Sequence, residues 1–300
     1  MKSFLLLIML LIMLDISASA KNMALIIGIG EYNYEATGWP AIHGNNDVQL
    51  LEERFLSKGF QVVTLKDANA TKISIMSALA DLVLHAGSND IIYLHFSGHG
   101  QPVADMNNDE EDGLDQSFVC YDACFSTRYN ISDTPYMGQN HLIDDKIFPI
   151  LNQLKSIVGS RGQVIIAFDS CFSGGADRGD AVDEGPSDGD VDFITYTRGS
   201  CDEFCANETS QEYLSTIVAP DNYEAGGGTV TVISACPRDR KNFECKEKES
   251  GICYGSLSYC ISKMLDNNLP FDQWEDFFTS KKFREYQIFR FSQRPIAERH

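Results

Sequence analysis

Two reactive side chains, a histidine and a cysteine, each follow directly on an apolar run of the sequence. The motif SGHG (residues 97–100) places His99 after one run, and the motif DSC (residues 169–171) places Cys171 after another. Residues beyond the carboxyl ends of parallel strands meet at one edge of a sheet. An imidazole beside a thiol keeps part of it in the nucleophilic thiolate form. The pattern therefore indicates a nucleophile, Cys171, and its base, His99.

Glycines on both sides of His99, and the glycine-rich turn that follows Cys171, let a substrate carbonyl approach the backbone closely. We expect the N–H groups of Gly100 and Cys171 to stabilise an oxyanion there. A cysteine alone is usually a small core residue and a histidine alone is usually structural, so their joint placement at strand ends is what favours catalysis. His95 and His99 have a spacing that binds metals on helices, but His95 falls inside the strand run.

Apolar runs alternate with amphipathic segments along the chain, which predicts an α/β fold with a doubly wound, mostly parallel sheet flanked by helices. Five runs predict strands: Ala24 to Ile29, Phe60 to Leu65, Ile91 to Phe96, Val164 to Phe168 and Thr229 to Ser234. Four segments predict helices: Asn46 to Ser57, Thr71 to His85, Leu142 to Ile157 and Ser256 to Leu265. Thr71 is placed to cap its helix.

Two acidic segments, Asp105 to Tyr136 and Ala176 to Gly228, interrupt this alternation and predict long loops. The sequence after the second loop, with one strand and one or two helices, is too short to fold alone. We therefore expect a single domain over residues 21–300, in which residues 176–228 form a linker between residues 21–175 and residues 229–300.

The first twenty residues have the pattern of a secretory signal peptide, with Lys2, an apolar run from Phe4 to Leu14, and the small residues ASA (18–20). The run is too short to cross a bilayer, and an uncleaved anchor is the alternative. We expect a secreted, monomeric protein with no membrane partner after signal removal. The net charge of −19 argues against nucleic acid as a partner and suits basic substrates or divalent cations, although exported proteins are often acidic without such a reason.

The nine cysteines are an odd number, so export would leave at least one thiol outside any disulfide. Zinc is a weaker alternative, because no C-x-x-C pair recurs with structural spacing. Cys171 is the residue that we expect to keep its thiol. Three local pairs are candidate bridges whose connectivity the sequence does not fix: Cys120/Cys124, Cys201/Cys205 and Cys245/Cys253.

The motifs IIYLHFSGHG and VIIAFDSCFSGG resemble the histidine and cysteine motifs of the caspase-like cysteine peptidases, and most closely those of metacaspases. The likeness extends to ALIIGIGEY and IHGNNDVQLL near the start, and to TVTVISACPRDR, GSLSYCISKML and SQRPIAE near the end. It implies a caspase-like fold with a His99–Cys171 dyad, a large-subunit-like part before the linker and a small-subunit-like part after it. The Q-A-C-x-G signature of caspases is not present.

The resemblance also implies a pocket for a basic side chain, built from Asp47, Ser97 and Asp169. The segments expected to form it, residues 31–47 and 97–100, contain no Lys or Arg. Carboxylates bind Arg or Lys through charge-assisted hydrogen bonds. As alternatives, Asp169 would cap its turn and Asp47 would serve the N-terminus of a helix.

Metacaspases of one type are activated by calcium, and the matching carboxylates here are Asp115, Asp144, Asp145 and Asp177. Oxygen-rich acidic loops suit Ca²⁺. The alternative is that these are ordinary solvated acidic loops, and Asp177 is one residue away from the family's spacing. No cofactor is required for the chemistry itself; calcium would be an activator.

The sequence thus predicts a secreted cysteine endopeptidase that cleaves peptide or protein substrates after Arg or Lys. Arg178 and Arg198 lie in the linker, where such an enzyme could process its own precursor. The alternatives are a peptidase of the same fold with another specificity, a transpeptidase, or a non-catalytic binding module, because fold alone does not determine function.

Overall fold

The computed structural model describes residues 20–105, 107, 114–124, 140–171, 189–198, 226–237, 241–290 and 293–300. The predictions for residues 1–19 and for Asp177, Arg178, Cys201 and Cys205 lie outside these described residues. Within the described ranges, every helix is too short or too polar to span a lipid bilayer.

Twelve strands and six α-helices are described, together with three short 3₁₀ turns at Asp67–Asn69, Phe271–Gln273 and Lys282–Tyr286. The strands are β1 (Met23–Gly28), β2 (Gln61–Lys66), β3 (Ile91–Ser97), β4 (Gly100–Ala104), β5 (Leu114–Val119), β6 (His141–Ile143), β7 (Gln163–Asp169), β8 (Val191–Thr197), β9 (Thr229–Ser234), β10 (Phe243–Glu247), β11 (Cys253–Gly255) and β12 (Ile296–Arg299). The helices are α1 (Tyr34–Thr37), α2 (Gly44–Ser57), α3 (Lys72–His85), α4 (Asp144–Val158), α5 (Ser256–Asp266) and α6 (Trp274–Thr279).

Six strands form the central sheet, in the order β12-β9-β7-β3-β1-β2. All pairs are parallel except β12 with β9. The predicted fold class is therefore confirmed, and the five predicted strands and four predicted helices are present with ends within two residues of those expected. Thr71 caps α3 as predicted, because its hydroxyl oxygen accepts a hydrogen bond from Ser74 N at 3.2 Å.

Apolar side chains cover both faces of this sheet, which explains why its strands have continuous apolar sequences. On one face, Leu25 and Ile27 of β1 contribute to a core completed by α3 and α4. On the other face, Ala24 and Ile26 contribute to a core completed by α2, α5 and α6. Both faces of β1 are therefore buried against apolar side chains. Polar side chains lie instead at the carboxyl edge of the sheet.

The two segments predicted to be long loops contain strands. β4, β5 and β6 form one small antiparallel sheet, and β8, inside the predicted linker, forms another with β10 and β11. The sequence of β8, VDFITYT, consists almost entirely of β-branched and aromatic residues, which favour strands. The acidic composition around it concealed this signal.

Two of the candidate disulfides are wrong, because Cys120, Cys124, Cys245 and Cys253 all carry thiols. Cys120 is buried in the core whereas Cys124 is exposed. Cys245 pairs with Tyr254 and not with Cys253 in the register of β10 and β11. Since a one-residue offset directs side chains to opposite faces of a sheet, the two thiols point apart.

Candidate active site

His99 and Cys171 come together because the strands that precede them are neighbours. β3 and β7 pair in parallel with Ser97 opposite Asp169, so each reactive residue lies two positions beyond a paired one. Both residues are buried, with 2% of His99 and 0% of Cys171 exposed. The structure therefore brings the predicted pair to one edge of the sheet.

The imidazole of His99 is held in one tautomer. Its Nε2 lies 2.9 Å from the carbonyl oxygen of Pro40, which can only accept, so Nε2 carries the hydrogen. The ring stacks on Trp39 at 4.8 Å between centroids, and its other nitrogen, Nδ1, is buried without a hydrogen-bond partner among the described residues. Burial lowers the pKa of His99 to about 4, so Nδ1 presents a lone pair that can take a proton.

Two backbone N–H groups converge on one carbonyl oxygen, and that oxygen belongs to Arg198. Cys171 N donates to it at 2.7 Å and Gly100 N donates at 3.3 Å. These are the two groups that the sequence assigns to an oxyanion hole. Arg198 N also donates to the carbonyl oxygen of Asn242 at 3.3 Å, so the backbone of Arg198 is held on both sides.

The side chain of Arg198 fills an acidic pocket and is completely buried. Its NH2 group lies 3.0 Å from Asp47 Oδ2 and 2.8 Å from Glu244 Oε1, and its Nε donates to the same glutamate oxygen at 3.1 Å. Its NH1 group lies 3.9 Å from Asp169 Oδ1 and donates to Ser97 Oγ. The three residues predicted to bind a basic side chain therefore surround one.

Three buried carboxylates face a single guanidinium here, and burial and this guanidinium act in opposite directions on the pKa values of Asp47 and Glu244. Burial raises the pKa of Asp47 to about 6, and Arg198 opposes this rise. Burial acts in the same direction on Glu244, but Arg198 and a hydrogen bond from His43 outweigh it and lower the pKa of Glu244. Burial opposes the charge of Arg198, yet the surrounding carboxylates raise the pKa of its guanidinium.

Asp169 is oriented by a buried chain of hydrogen bonds. Ser258 donates its backbone N–H and its hydroxyl to Asp169 Oδ2 at 2.7 and 2.6 Å, and Asn242 donates to Oδ1 at 2.7 Å. Because the Ser258 hydroxyl donates to the carboxylate, it accepts from His95 Nε2 at 3.0 Å. His95 Nδ1 then accepts from the Tyr93 hydroxyl at 2.8 Å, and burial lowers the pKa of His95 to about 4, which keeps the ring neutral.

The pocket leaves no room for a side chain at Gly255. A Cβ atom there would lie 2.1 Å from Asp169 Oδ2 and 2.7 Å from Arg198 Cζ. The N–H of Gly255 also donates to Asp47 Oδ1 at 3.0 Å. The glycine therefore allows the guanidinium and the carboxylates to come together.

Sequence reasoning missed several parts of this site: Pro40, Asn242, Glu244, Gly255 and Ser258. Glu244 is an acidic residue inside a strand whose neighbours are Phe243 and Cys245, and it is completely buried. An acidic residue between two buried apolar ones is the signal that could have identified it, since buried charges require a partner. No comparable signal exists for Pro40, whose contribution is its carbonyl group.

A second group of carboxylates lies away from this pocket. Asp115, Asp144 and Asp145 each offer one oxygen within 4.8 Å of the others, and Asp115 and Asp144 are buried. Asn107 donates to Asp145 Oδ2 at 2.8 Å. The structure thus brings together three of the four predicted calcium ligands, and the fourth, Asp177, lies outside the described residues.

Known proteins share this sequence pattern and this fold. The family model of the caspase domain matches residues 21–299. Metacaspase-1 of Ajellomyces capsulatus is 30% identical over 229 residues, which are 72% of this chain and 55% of that protein. Metacaspase-1B of Aspergillus fumigatus is 28% identical over 246 residues, which are 77% of this chain and 52% of that protein.

A solved structure gives an independent comparison of the fold. The crystal structure of a protein from Geobacter sulfurreducens superposes with a TM-score of 0.60 at 18% identity and covers 93% of both chains. At this identity the likeness shows the fold alone. The present chain spans about half the length of the curated relatives that it matches.

Proposed function

The chain belongs to the caspase-domain family of cysteine peptidases, and on this basis we propose that it is an endopeptidase that cleaves after arginine or lysine and processes its own linker after Arg198. One observation carries the proposal. The side chain of Arg198 occupies the acidic pocket while its carbonyl oxygen accepts from the N–H groups of Gly100 and Cys171. This is the arrangement that a substrate arginine would adopt immediately before cleavage.

In the proposed reaction, Cys171 Sγ attacks the carbonyl carbon of the arginine while His99 Nδ1 takes the thiol proton. The negative charge on the carbonyl oxygen is stabilised by the N–H groups of Gly100 and Cys171. His99 then gives the proton to the leaving amine, and a thioester to Cys171 remains. Water, deprotonated by His99, hydrolyses the thioester and restores the thiol.

The preference for a basic side chain follows from charge. Asp47, Asp169 and Glu244 are all completely buried, so an uncharged side chain in their midst would deprive them of the cation that they share. A substrate aspartate would add a fourth negative charge. Ser97 supplies an acceptor for NH1 and at the same time donates to Asp47 Oδ2 at 2.5 Å.

The proposal is tested by expressing the full chain beside Cys171→Ala, Arg198→Gln and the control Arg161→Gln, which changes an exposed arginine. We expect a fragment that ends at Arg198 in the parent and the control, and none in the other two variants. Hydrolysis of matched fluorogenic peptides that end in Arg, Lys or Asp would be measured on the same samples. Cleavage after Asp, or an unchanged fragment in Cys171→Ala, would contradict the proposal.

Calcium activation is also proposed. Three carboxylates with oxygens within 4.8 Å of one another form a donor set that suits Ca²⁺, and Asp115, Asp144 and Asp145 would hold it. A bound ion would neutralise part of this charge and link β5, which carries Asp115, to the first turn of α4, which carries Asp144 and Asp145. Titration of the metal-free chain with calcium in a calorimeter tests this, and absence of heat with both the parent and Asp144→Asn would contradict it.

Export and a monomeric state complete the proposal. The leader pattern of residues 1–20 supports export. N-terminal sequencing of the protein recovered from a secreting host tests the cut after residue 20. Sedimentation of the purified protein tests the monomer, and a stable dimer would contradict it.

A further inference from the structure

The segment that delivers Arg198 to the pocket is a strand with its own attachment to the fold. β8 ends one residue before Arg198 and runs antiparallel to β10. Val191, at the other end of β8 and seven residues before Arg198, is completely buried. It lies in the same apolar cluster as Cys245, Tyr254 and Leu257. The strand is therefore attached at the end opposite to the arginine.

Backbone contacts extend this attachment. Lys248 N donates to the carbonyl oxygen of Asp190 at 2.9 Å, and Arg290 donates to the carbonyl oxygen of Ile194 at 3.0 Å. The guanidinium of Arg290 also lies over the ring of Phe193 at 5.6 Å and over that of Phe243 at 4.5 Å. Because Arg290 is only 4% exposed, these contacts are made away from water and are correspondingly strong.

Two ion pairs add charge complementarity. Lys263 lies 3.1 Å from Asp190 and Lys248 lies 3.8 Å from Asp192. The carboxylate side chains are 75% and 49% exposed, so solvent screens both pairs and they contribute little to the binding energy. The buried valine and the Arg290 contacts therefore hold the strand, and the ion pairs favour acidic neighbours.

We propose that β10, Arg290 and the apolar cluster around Val191 form an upstream recognition site for an extended acidic segment that has a buried β-branched residue seven positions before its arginine. Its occupant in this structure is the chain's own segment 189–198, GDVDFITYTR. This inference rests on the proposed function and specifies its substrate. The site fixes the register of β8 and thereby selects Arg198 for cleavage.

A second consequence concerns the product. Hydrolysis adds water across the bond after Arg198, which leaves a carboxylate on Arg198 and an amine on the following residue. None of the contacts of residues 189–194 depends on that bond. The cut strand therefore stays in place as a tethered competitor at a millimolar-range effective concentration, and external substrates must displace it.

The test compares the self-cleaved parent with Val191→Asp and with the matched control Val63→Asp, which changes a valine that is 51% exposed on β2. With a fluorogenic peptide that ends in Arg, we expect Val191→Asp to lower KM about tenfold or more with kcat unchanged, because burying a valine is worth roughly tenfold in binding. We expect Val63→Asp to change neither value. Equal KM values in the two variants would overturn the inference.

Two further measurements keep the test decisive if Val191→Asp folds poorly. Hydrogen exchange of the β8 amides in the parent should be equally slow before and after self-cleavage, and rapid exchange after the cut would overturn the inference. The free peptide GDVDFITYTR should inhibit the self-cleaved parent at least about tenfold more strongly than the same peptide with Asp in place of its Val, since both peptides compete with the same tethered strand. If the two peptides inhibit equally, the upstream site does not exist.

Failure of this inference can be distinguished from failure of the proposed function. If Val191→Asp and Val63→Asp hydrolyse arginine peptides with equal KM values, the proposed peptidase activity is confirmed and only the upstream site is contradicted. If no folded variant hydrolyses any peptide at any calcium concentration, the proposed peptidase activity is contradicted.

Discussion

Two groups of three carboxylates lie among the described residues, and they differ in the arrangement of their oxygens. In the pocket around Arg198, the oxygens of Asp47, Asp169 and Glu244 are spread around a flat guanidinium at 2.8 to 3.9 Å. In the other group, one oxygen each from Asp115, Asp144 and Asp145 lies within 4.8 Å of the other two, so the three oxygens are close enough to contact a single small ion. Because both groups contain three carboxylates, the spacing of their oxygens is what would distinguish the cations that we propose for them.

The hydrogen-bond donors around the two groups add to this contrast. In the arginine pocket, Gly255 and Ser258 donate to the carboxylate oxygens on the side away from the guanidinium, Asp47 Oδ1 and Asp169 Oδ2. Ser97 and Asn242 donate to the oxygens that the guanidinium also contacts. Fixed donors make the pocket specific for a planar partner with several N–H groups. A calcium ion takes six to eight oxygen ligands and tolerates variation in their directions, so it requires fewer fixed donors.

The largest expected effect comes from removing one charge of the arginine pocket. Asp47→Asn, made together with Arg198→Gln so that no internal arginine competes, should lower kcat/KM for arginine peptides by about 10²-fold. The reason is that the buried guanidinium of the substrate arginine loses one of its three carboxylate partners. The control is Asp266→Asn, which breaks a half-exposed pair with Arg54 at 3.0 Å. If both substitutions have equal effects, the pocket is not the binding site.

A smaller loss of activity is expected from Gly255→Ala, which changes the shape of the arginine pocket and leaves its charge unchanged. The added methyl group would lie 2.1 Å from Asp169 Oδ2, so either that carboxylate or the substrate must move. We expect kcat/KM for arginine peptides to fall about tenfold to a hundredfold. Gly87→Ala, where an added Cβ would lie no closer than 3.5 Å to its nearest neighbour, Asp90 Oδ2, controls for the loss of a glycine. Unchanged activity in Gly255→Ala would show that substrates do not enter this pocket.

The carboxylate group at Asp144 should affect calcium and leave the side-chain preference unchanged. With Asp144→Asn, we expect the calcium concentration for half-maximal activity to rise about tenfold, because one of three closely spaced charges is lost. The ratio of cleavage after Arg to cleavage after Lys should stay constant. A changed ratio with an unchanged calcium requirement would show that the two groups of carboxylates have been assigned the wrong way round.

The smallest effect is a pH dependence of arginine binding. Arg198 lowers the pKa of Asp47, which is about 6 when the arginine is present, so the empty pocket has a higher value. An arginine that enters the empty pocket therefore releases a proton, and its affinity rises with pH above about 6, by at most tenfold per pH unit. Calorimetry of an arginine peptide with Cys171→Ala/Arg198→Gln measures this slope. Asp47→Asn should flatten it, and a slope that survives that change would assign the proton to another group.

The sequence by itself determined the sheet and the positions of the reactive residues. Continuous apolar runs such as Val164 to Phe168 can only be satisfied by strands covered on both faces, and their ends place His99 and Cys171 at the carboxyl edge. The spacing of apolar residues in α2 and α3 determined the helices that cover the sheet. These features are local, so a linear pattern can carry them.

The tertiary structure alone decided what fills the site. Glu244 joins Asp47 and Asp169 from a distant strand, and Arg198 reaches all three from a segment whose acidic composition resembles a loop. The register of β10 and β11, and not the number of cysteines, separates Cys245 from Cys253. The physical reason is that the partners of buried charges and thiols are far from them in the sequence. They become neighbours only when the chain folds, so sequence spacing does not predict which residues will be in contact.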